Sequence, residues 1–79
     1  MIGTSRQILD TRGLLCPMPV IRAQELARTL AAGVLVELTA TDPGVMHDVP
    51  AWCRVHGHDV IACKEQDDEY VIEFKIKAS

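Results

Sequence analysis

The chain has 79 residues, of which 48% are hydrophobic and 24% charged, and its formal net charge is −3. A chain of this size forms one small domain that buries only about 60% of the surface exposed on unfolding, so an elaborate pocket for a large cofactor is not expected. The acidic balance, with a single Trp, Tyr and Phe, also argues against direct nucleic-acid binding, which uses cationic surfaces and aromatic stacking.

The sequence lacks the signals of membrane insertion and secretion. No apolar run approaches the roughly 18 residues that a membrane span requires, and Met1–Gln7 does not have the basic-then-apolar pattern of a signal peptide. Three cysteines are an odd number, which fits reduced thiols better than a disulfide-stapled secreted scaffold. We therefore expect a single domain over residues 1–79, located in the cytoplasm and without membrane contact.

The first predicted elements are a strand and a helix joined by a tight turn. The strand covers about Arg6–Asp10 and leads to Gly13, where the missing side chain permits a sharp change of direction. The helix is predicted from Cys16 or Pro17 to about Ala32, because proline suits the first helical position and the glycine that follows is a typical stop signal.

This helix has one apolar face, but two large apolar residues fall outside it. Met18 and Ile21 lie on the polar side of the helical wheel, close to the start of the helix. They are candidates for a surface that docks a partner protein. The alternative, equally supported by the sequence, is that Met18 covers the neighbouring loop.

Two segments alternate apolar and polar residues and are predicted strands, residues 34–41 and 70–77. Since each has one polar face, helices are expected on only one side of the sheet, in two layers. Between them a second helix is predicted to continue to Gly57, with Asp48 as its cap and Pro50 in its first turn.

The remaining connections complete the predicted topology. A strand over about Asp59–Glu65 joins the last strand through the acidic turn Gln66–Asp68, which predicts an antiparallel hairpin. The first two strands, linked through a helix, are expected to be parallel. The predicted fold is therefore α+β, a two-layer α/β sandwich of order βαβαββ, with a four-stranded mixed sheet and two helices on one face.

The candidate reactive residue is Cys16, at the start of the first predicted helix. The helix macrodipole lowers the pKa of thiols in such positions from about 8.5 to about 3.5–7.5, and Arg12 and Arg22 are expected to add electrostatic support. Pro17 and Pro19 fix the backbone and remove two first-turn donors, so they are expected to position the sulfur while binding it weakly.

The position three residues after Cys16 separates this site from that of a disulfide oxidoreductase. It holds Pro19 where such an enzyme has a second cysteine. A thiol without a local partner can still attack sulfur and carry it as a persulfide, so the predicted role is sulfur transfer with a transient cysteine persulfide and no cofactor. An oxidoreductase or peroxidase would require Cys53 or Cys63 to approach Cys16 in space.

Cys53 and Cys63 are otherwise expected to be buried structural residues, because free cysteine is among the most buried residue types. His47, His56 and His58 add further potential metal ligands. Their spacing lacks the paired elements of zinc sites, so no metal site is predicted.

Two segments resemble the TusA (SirA-like) family of small sulfur-carrier proteins. Leu9–Pro19 resembles the family hallmark, an aspartate-containing strand end and a glycine turn running into Cys-Pro-x-Pro. Thr41–Gly44 and Asp48–Cys53 together resemble the second signature of the family. The two motifs occur in order and at family spacing, and the resemblance extends over nearly the whole chain.

The resemblance implies that Cys16 accepts sulfane sulfur from a donor such as a cysteine desulfurase or a rhodanese and passes it to an acceptor protein. In the family this traffic serves tRNA 2-thiouridine formation, and in related members molybdenum cofactor supply or sulfur oxidation. Arg22 matches a position that is usually basic, and a monomer is expected. The residues leave a second interpretation open, a non-catalytic regulatory module that binds a protein through Met18 and Ile21.

Overall fold

The computed structural model describes residues 6–77, in which two helices cover one face of a four-stranded sheet. Most of Met1–Gln7 and the last two residues lie outside the described part. The elements follow the predicted order and confirm the two-layer βαβαββ fold: β1 (Arg6–Thr11), α1 (Met18–Ala27), β2 (Leu35–Ala40), α2 (Val45–His56), β3 (Asp59–Gln66) and β4 (Glu69–Lys75). Neither helix reaches the length and apolar character needed to span a membrane.

The strand order places two loops side by side. The sheet runs β1-β2-β4-β3, with β1 and β2 parallel and the other two pairs antiparallel. Thr11 at the end of β1 lies opposite Ala40 at the end of β2. Because both strands end at the same edge, the loops that lead from them into α1 and α2 emerge as neighbours.

The core forms where the apolar faces of β2 and β4 meet the helices. The predicted alternation is confirmed: one face of each strand is buried and the other is half-exposed. The largest fully buried hydrophobic side chains come from these strands and from α2, namely Phe74, Leu38, Ile72, Val36, Val45 and Val49. These residues hold the layers together and leave the loop edge of the sheet for other contacts.

The first helix is shorter than predicted at both ends. It ends at Ala27 and not at about Ala32, because the amides of Thr29 and Leu30 bond three residues back, to the carbonyl oxygens of Leu26 (2.9 Å) and Ala27 (3.3 Å), and not four residues back as in an α-helix. Its first residue follows Pro17, which is the N-cap with φ −96° and ψ 17° and not the first helical residue. The second proline of the motif occupies the first turn.

The second helix begins earlier than predicted. Its N-cap is Gly44, where the backbone already has φ −58° and ψ −23°, so Asp48 is a first-turn residue and not the cap. Pro50 consequently lies inside the helix and not in its first turn. The predicted end is confirmed, since Gly57 forms a left-handed C-cap with φ 79°.

The two remaining cysteines have different environments. Cys53 on α2 is fully buried, as predicted, whereas Cys63 on β3 is exposed, so its predicted burial is wrong. The reason is that β3 is an outer strand of the sheet and is exposed along nearly all of its length. All three cysteines of the chain are free thiols.

The hairpin between β3 and β4 is confirmed, and its turn has an unfavourable composition. The two turn residues Asp67 and Asp68 have φ values of 52° and 64°. Two positive φ values in a two-residue loop are typical of a type I′ turn, for which Asn-Gly is the favoured sequence. The aspartates therefore adopt a left-handed conformation that residues with a side chain disfavour.

We expect the double substitution Asp67→Asn, Asp68→Gly to raise the free energy of unfolding by about 1 kcal/mol, because it removes left-handed strain from the turn. Urea denaturation monitored by circular dichroism measures the change. Glu65→Gln, which removes one exposed negative charge from the adjoining strand, is the control for charge and should have little effect. Equal stabilisation by both variants would contradict the conformational explanation.

Candidate functional site around Cys16

The neighbouring loops after β1 and β2 are joined by two side-chain contacts. The amide of Gly13 donates to Thr41 Oγ1 at 2.9 Å, and the amide of Cys16 donates to Asp42 Oδ2 at 2.8 Å. Gly13 has φ 83°, which supports its predicted role in a sharp turn. The loop that carries the thiol is thereby fixed against the loop that starts α2.

Asp42 binds both loops with the two oxygens of one carboxylate. Besides the bond from Cys16, its Oδ1 accepts a hydrogen bond from the amide of Gly44 at 3.0 Å. These bonds lower the pKa of Asp42, with the Gly44 amide contributing most and the Cys16 amide next. The charged form of Asp42 is thus the form that holds the site together.

The sulfur of Cys16 lies directly over the start of α2. A methyl group placed on Gly44 would come within 2.9 Å of Cys16 Sγ, closer than real contacts allow. Because the φ of Gly44 is −58°, the backbone itself would accept any residue. Glycine is therefore required because any side chain at position 44 would collide with the sulfur of Cys16. The thiol therefore adjoins the N-terminal ends of both helices.

The environment of the thiol opposes ionisation, and the predicted lowering of its pKa is wrong. Burial raises the pKa of Cys16 to about 12, and the carboxylates of Asp48 and Asp42 add to the shift. A carboxylate can accept a hydrogen bond from the protonated thiol, but it repels the thiolate. These effects act against the helix dipoles on which the prediction was based.

The two arginines expected to support the thiolate are placed differently. The guanidinium of Arg12 pairs with Asp10 at 2.9 Å and with Glu69 at 3.4 Å, and its hydrogen bonds lower the pKa of Asp10 to about 2. Arg22 is exposed on α1. Among the described residues, the charged groups that shift the pKa of Cys16 are the two carboxylates, so a supporting role of the arginines stays a prediction.

Apolar side chains close to Cys16 in the sequence are open to solvent. Met18 is 37% exposed and Ile21 41% exposed, and Leu15, immediately before Cys16, is 74% exposed. These three residues form what we term the apolar rim of the site. Met18 and Ile21 are predicted from the sequence as candidate docking residues; Leu15 is not, although a leucine in a predicted turn is a usable signal. Docking through the rim stays a prediction.

Neither of the other cysteines is placed as a partner of Cys16. Cys16 Sγ lies over Gly44, and Cys53 is nine residues farther along α2, a rise of about 13.5 Å, whereas a disulfide requires Cα atoms within about 7 Å. Cys63 lies on β3, at the opposite edge of the sheet from β1. Within residues 6–77, no three histidine, cysteine or acidic side chains come together as a metal site.

Sequence reasoning missed Asp42, Gly44 and Asp48 as residues of this site. All three belong to the segments that resemble the second family signature, and Asp48 is also the predicted helix cap, but none of them is predicted to lie at the sulfur. The available signal was the Asp-Pro-Gly sequence before α2, since parallel strands place that loop beside the one that carries the cysteine. Without the three-dimensional register, nothing in the sequence showed that these residues surround the sulfur.

Comparisons with known proteins find one family and relatives that are named sulfur carriers. The family model described as Sulfurtransferase TusA matches residues 7–77. The putative sulfur carrier protein YrkI of Bacillus subtilis is 42% identical over 65 residues, which cover 82% of this chain and 83% of that protein. Sulfur carrier protein TusA of Pseudomonas putida (strain W619) is 39% identical over 75 residues, which cover 95% of this chain and 94% of that protein. The Pseudomonas aeruginosa (strain LESB58) protein of that name is 38% identical over 71 residues, covering 90% of each.

Replacing Gly44 with alanine should destabilise the protein through the sulfur and not through the backbone. We expect Gly44→Ala to lower the free energy of unfolding by about 1–2 kcal/mol, because the added methyl group overpacks against Cys16 Sγ. In a Cys16→Ala background the same change should have little effect. Urea denaturation of wild type, the two single variants and the double variant gives the coupling energy between positions 16 and 44. An equal loss of stability in both backgrounds would contradict the steric explanation.

The Asp42 bonds should make stability depend on pH. Because its folded-state pKa is lowered, Asp42 stabilises the folded protein above about pH 4, and this contribution is lost as pH falls through the lowered value. Asp42→Asn should therefore be less stable than wild type at neutral pH, with the difference shrinking below about pH 4. Thermal unfolding across this range measures it. Asp59→Asn, an exposed acid on β3, is the control, and a pH-independent difference for Asp42→Asn would oppose the assignment.

Proposed function

Because the chain belongs to the TusA sulfurtransferase family, we propose that it is a sulfur carrier that holds sulfane sulfur as a persulfide on Cys16. The observation that carries this proposal is the position of the Cys16 sulfur, seated by two loops at the edge of the fold within a family match over residues 7–77. The names of the curated relatives, sulfur carrier proteins, support the same function.

The proposed loading step is a thiol exchange on sulfur. The thiolate of Cys16 attacks the outer sulfur of a cysteine persulfide on the donor protein. A bond forms between Cys16 Sγ and that sulfur, while the sulfur–sulfur bond of the donor breaks and its cysteine leaves as a thiolate with the bonding electron pair. The transferred sulfur keeps its proton, and no external oxidant or reductant is consumed.

Delivery repeats this chemistry in the opposite direction. A thiolate of the acceptor attacks the outer sulfur of the Cys16 persulfide, and Cys16 leaves as the thiolate. The position of Cys53 nine residues beyond Gly44 on α2 and the edge position of Cys63 support a relay, because a nearby thiol would expel the sulfur by closing a disulfide. In this sense the protein is a sulfurtransferase that depends on partners and not an enzyme that turns over alone.

The proposed partners are proteins that present or accept sulfur. We assign the donor to the cysteine desulfurase or rhodanese type, working in the cytoplasm, and the acceptor to a sulfur-relay protein of tRNA thiolation, molybdenum cofactor supply or sulfur oxidation. The apolar rim of Leu15, Met18 and Ile21 is the surface we propose for docking, because it is exposed and its residues lie within five positions of Cys16 in the chain.

One observation favours a second candidate function, a non-catalytic protein-binding module. With its pKa raised to about 12, the thiol of the isolated protein is almost entirely protonated at neutral pH and is a weak nucleophile. In that case the apolar rim would bind a partner, and Cys16 would be a structural residue that packs against Gly44. The two candidates differ in whether Cys16 gains sulfur.

Incubation with a persulfide-loaded cysteine desulfurase, followed by mass spectrometry of the intact protein, tests the proposal. We expect a mass gain of one sulfur atom that reducing agent removes. The gain should be absent in Cys16→Ser and retained in Cys63→Ser, which removes the exposed thiol of the edge strand. Sulfur found on Cys63, or no gain from either desulfurase or rhodanese donors, would reject the carrier and favour the binding module.

A further inference from the structure

Asp48 lies beside the sulfur and has a role that the carrier function does not assign. Its Oδ2 is 3.7 Å from the point where a methyl group on Gly44 would lie, and Cys16 Sγ is 2.9 Å from the same point. The carboxylate and the sulfur therefore flank one small space at the start of α2. Asp48 is half-buried there.

Within residues 6–77, the negative charge of Asp48 has no cationic partner. The ion pairs of this part of the chain involve other acids, and Arg12, the arginine nearest in sequence to the thiol, is bound to Asp10 and Glu69. The second carboxylate at the sulfur, Asp42, is occupied by two backbone amides. The charge of Asp48 is thus available to act on the thiol.

A first-turn acid has an ordinary explanation, because negative charge at a helix N-terminus interacts favourably with the helix dipole. That explanation holds for an acid on any side of the first turn. It does not require the side chain to share a space with Cys16 Sγ, as Asp48 does. Stabilisation of α2 and an effect on the sulfur are therefore separate properties that can be measured separately.

Resting on the proposed carrier function, we propose that Asp48 is a positioning residue that keeps Cys16 in its protonated form until the carboxylate is neutralised. The thiolate is the form that attacks sulfur, and a stable thiolate is also the better leaving group. A negative charge beside the sulfur consequently slows both loading and unloading in the free protein. It also protects an accessible thiol from oxidation, which follows thiolate character.

Burial and Asp42 contribute to the same restraint, so removal of Asp48 relieves only part of it. Arg22 is exposed on α1, and the guanidinium of Arg12 is held by acids, so neither offsets the two carboxylates. Asp48→Asn should lower the midpoint of Cys16 ionisation without bringing it to the ordinary value of a free thiol. For each pH unit by which this midpoint falls, the thiolate population rises about ten-fold and the nucleophilicity of the thiolate falls about three-fold. The reaction rate of Cys16 at neutral pH therefore rises about three-fold.

The test is the pH profile of Cys16 alkylation by iodoacetamide in the full-length protein, followed at Cys16 by peptide mass spectrometry. For Asp48→Asn we expect a midpoint at lower pH than in wild type and a neutral-pH alkylation rate that is higher by about three-fold for each pH unit of that shift. Glu25→Gln, which removes an exposed negative charge from α1, should match wild type. An unchanged midpoint in Asp48→Asn, or an equal change in Glu25→Gln, would overturn the proposal.

Salt distinguishes an electrostatic role from loosening of α2. If the charge acts on the thiol, the midpoint of wild type should fall as salt screens Asp48, and that of Asp48→Asn should respond less. The same salt response in both proteins would assign the effect to structure and reject the proposal. Alkylation needs no sulfur donor, so this result is independent of whether the wild-type protein gains sulfur from a persulfide donor.

Discussion

The carboxylate of Asp42 is the contact on which the geometry of the site depends. Parallel pairing of β1 and β2 brings two loops to one edge of the sheet, but pairing alone does not fix their relative position. Asp42 does so by accepting the amide of Cys16 from one loop and the amide of Gly44 from the other. Both bonds use a charged acceptor, which makes them stronger than neutral hydrogen bonds. The sulfur is then held where the absence of a side chain on Gly44 leaves room for it.

The electrostatics of this edge are a balance of opposing effects. Two helix N-termini favour a negative charge on the sulfur, whereas burial and the carboxylates of Asp48 and Asp42 disfavour it and raise the pKa of the thiol. For a protein that carries a reactive sulfur between partners, low intrinsic reactivity is compatible with function. Under the proposed carrier function, a partner that changes the surroundings of the thiol would change its reactivity.

Much of the fold could be predicted because its signals are local. The alternation in β2 and β4 and the acidic turn at Asp67 and Asp68 correctly indicated the sheet and the hairpin. The environment of Cys16 could not be predicted in this way, since its neighbours come from a loop some 26 residues away that is brought near by strand pairing. The exposure of Cys63 was missed for a related reason, because alternation does not reveal which strand lies at the edge of a sheet.

Both acids at the sulfur raise the pKa of the thiol, but only Asp42 also fixes its position. Asp42 accepts two backbone amides, so its removal would disturb where the thiol lies as well as its protonation. Asp48 faces the space that the sulfur occupies and lacks an ion-pair partner within residues 6–77, so its charge bears on the protonation of the thiol. A change at Asp48 can therefore alter the reactivity of Cys16 while the loops stay in place. This difference between the two acids allows a small domain to adjust sulfur transfer without rebuilding the fold that presents the sulfur.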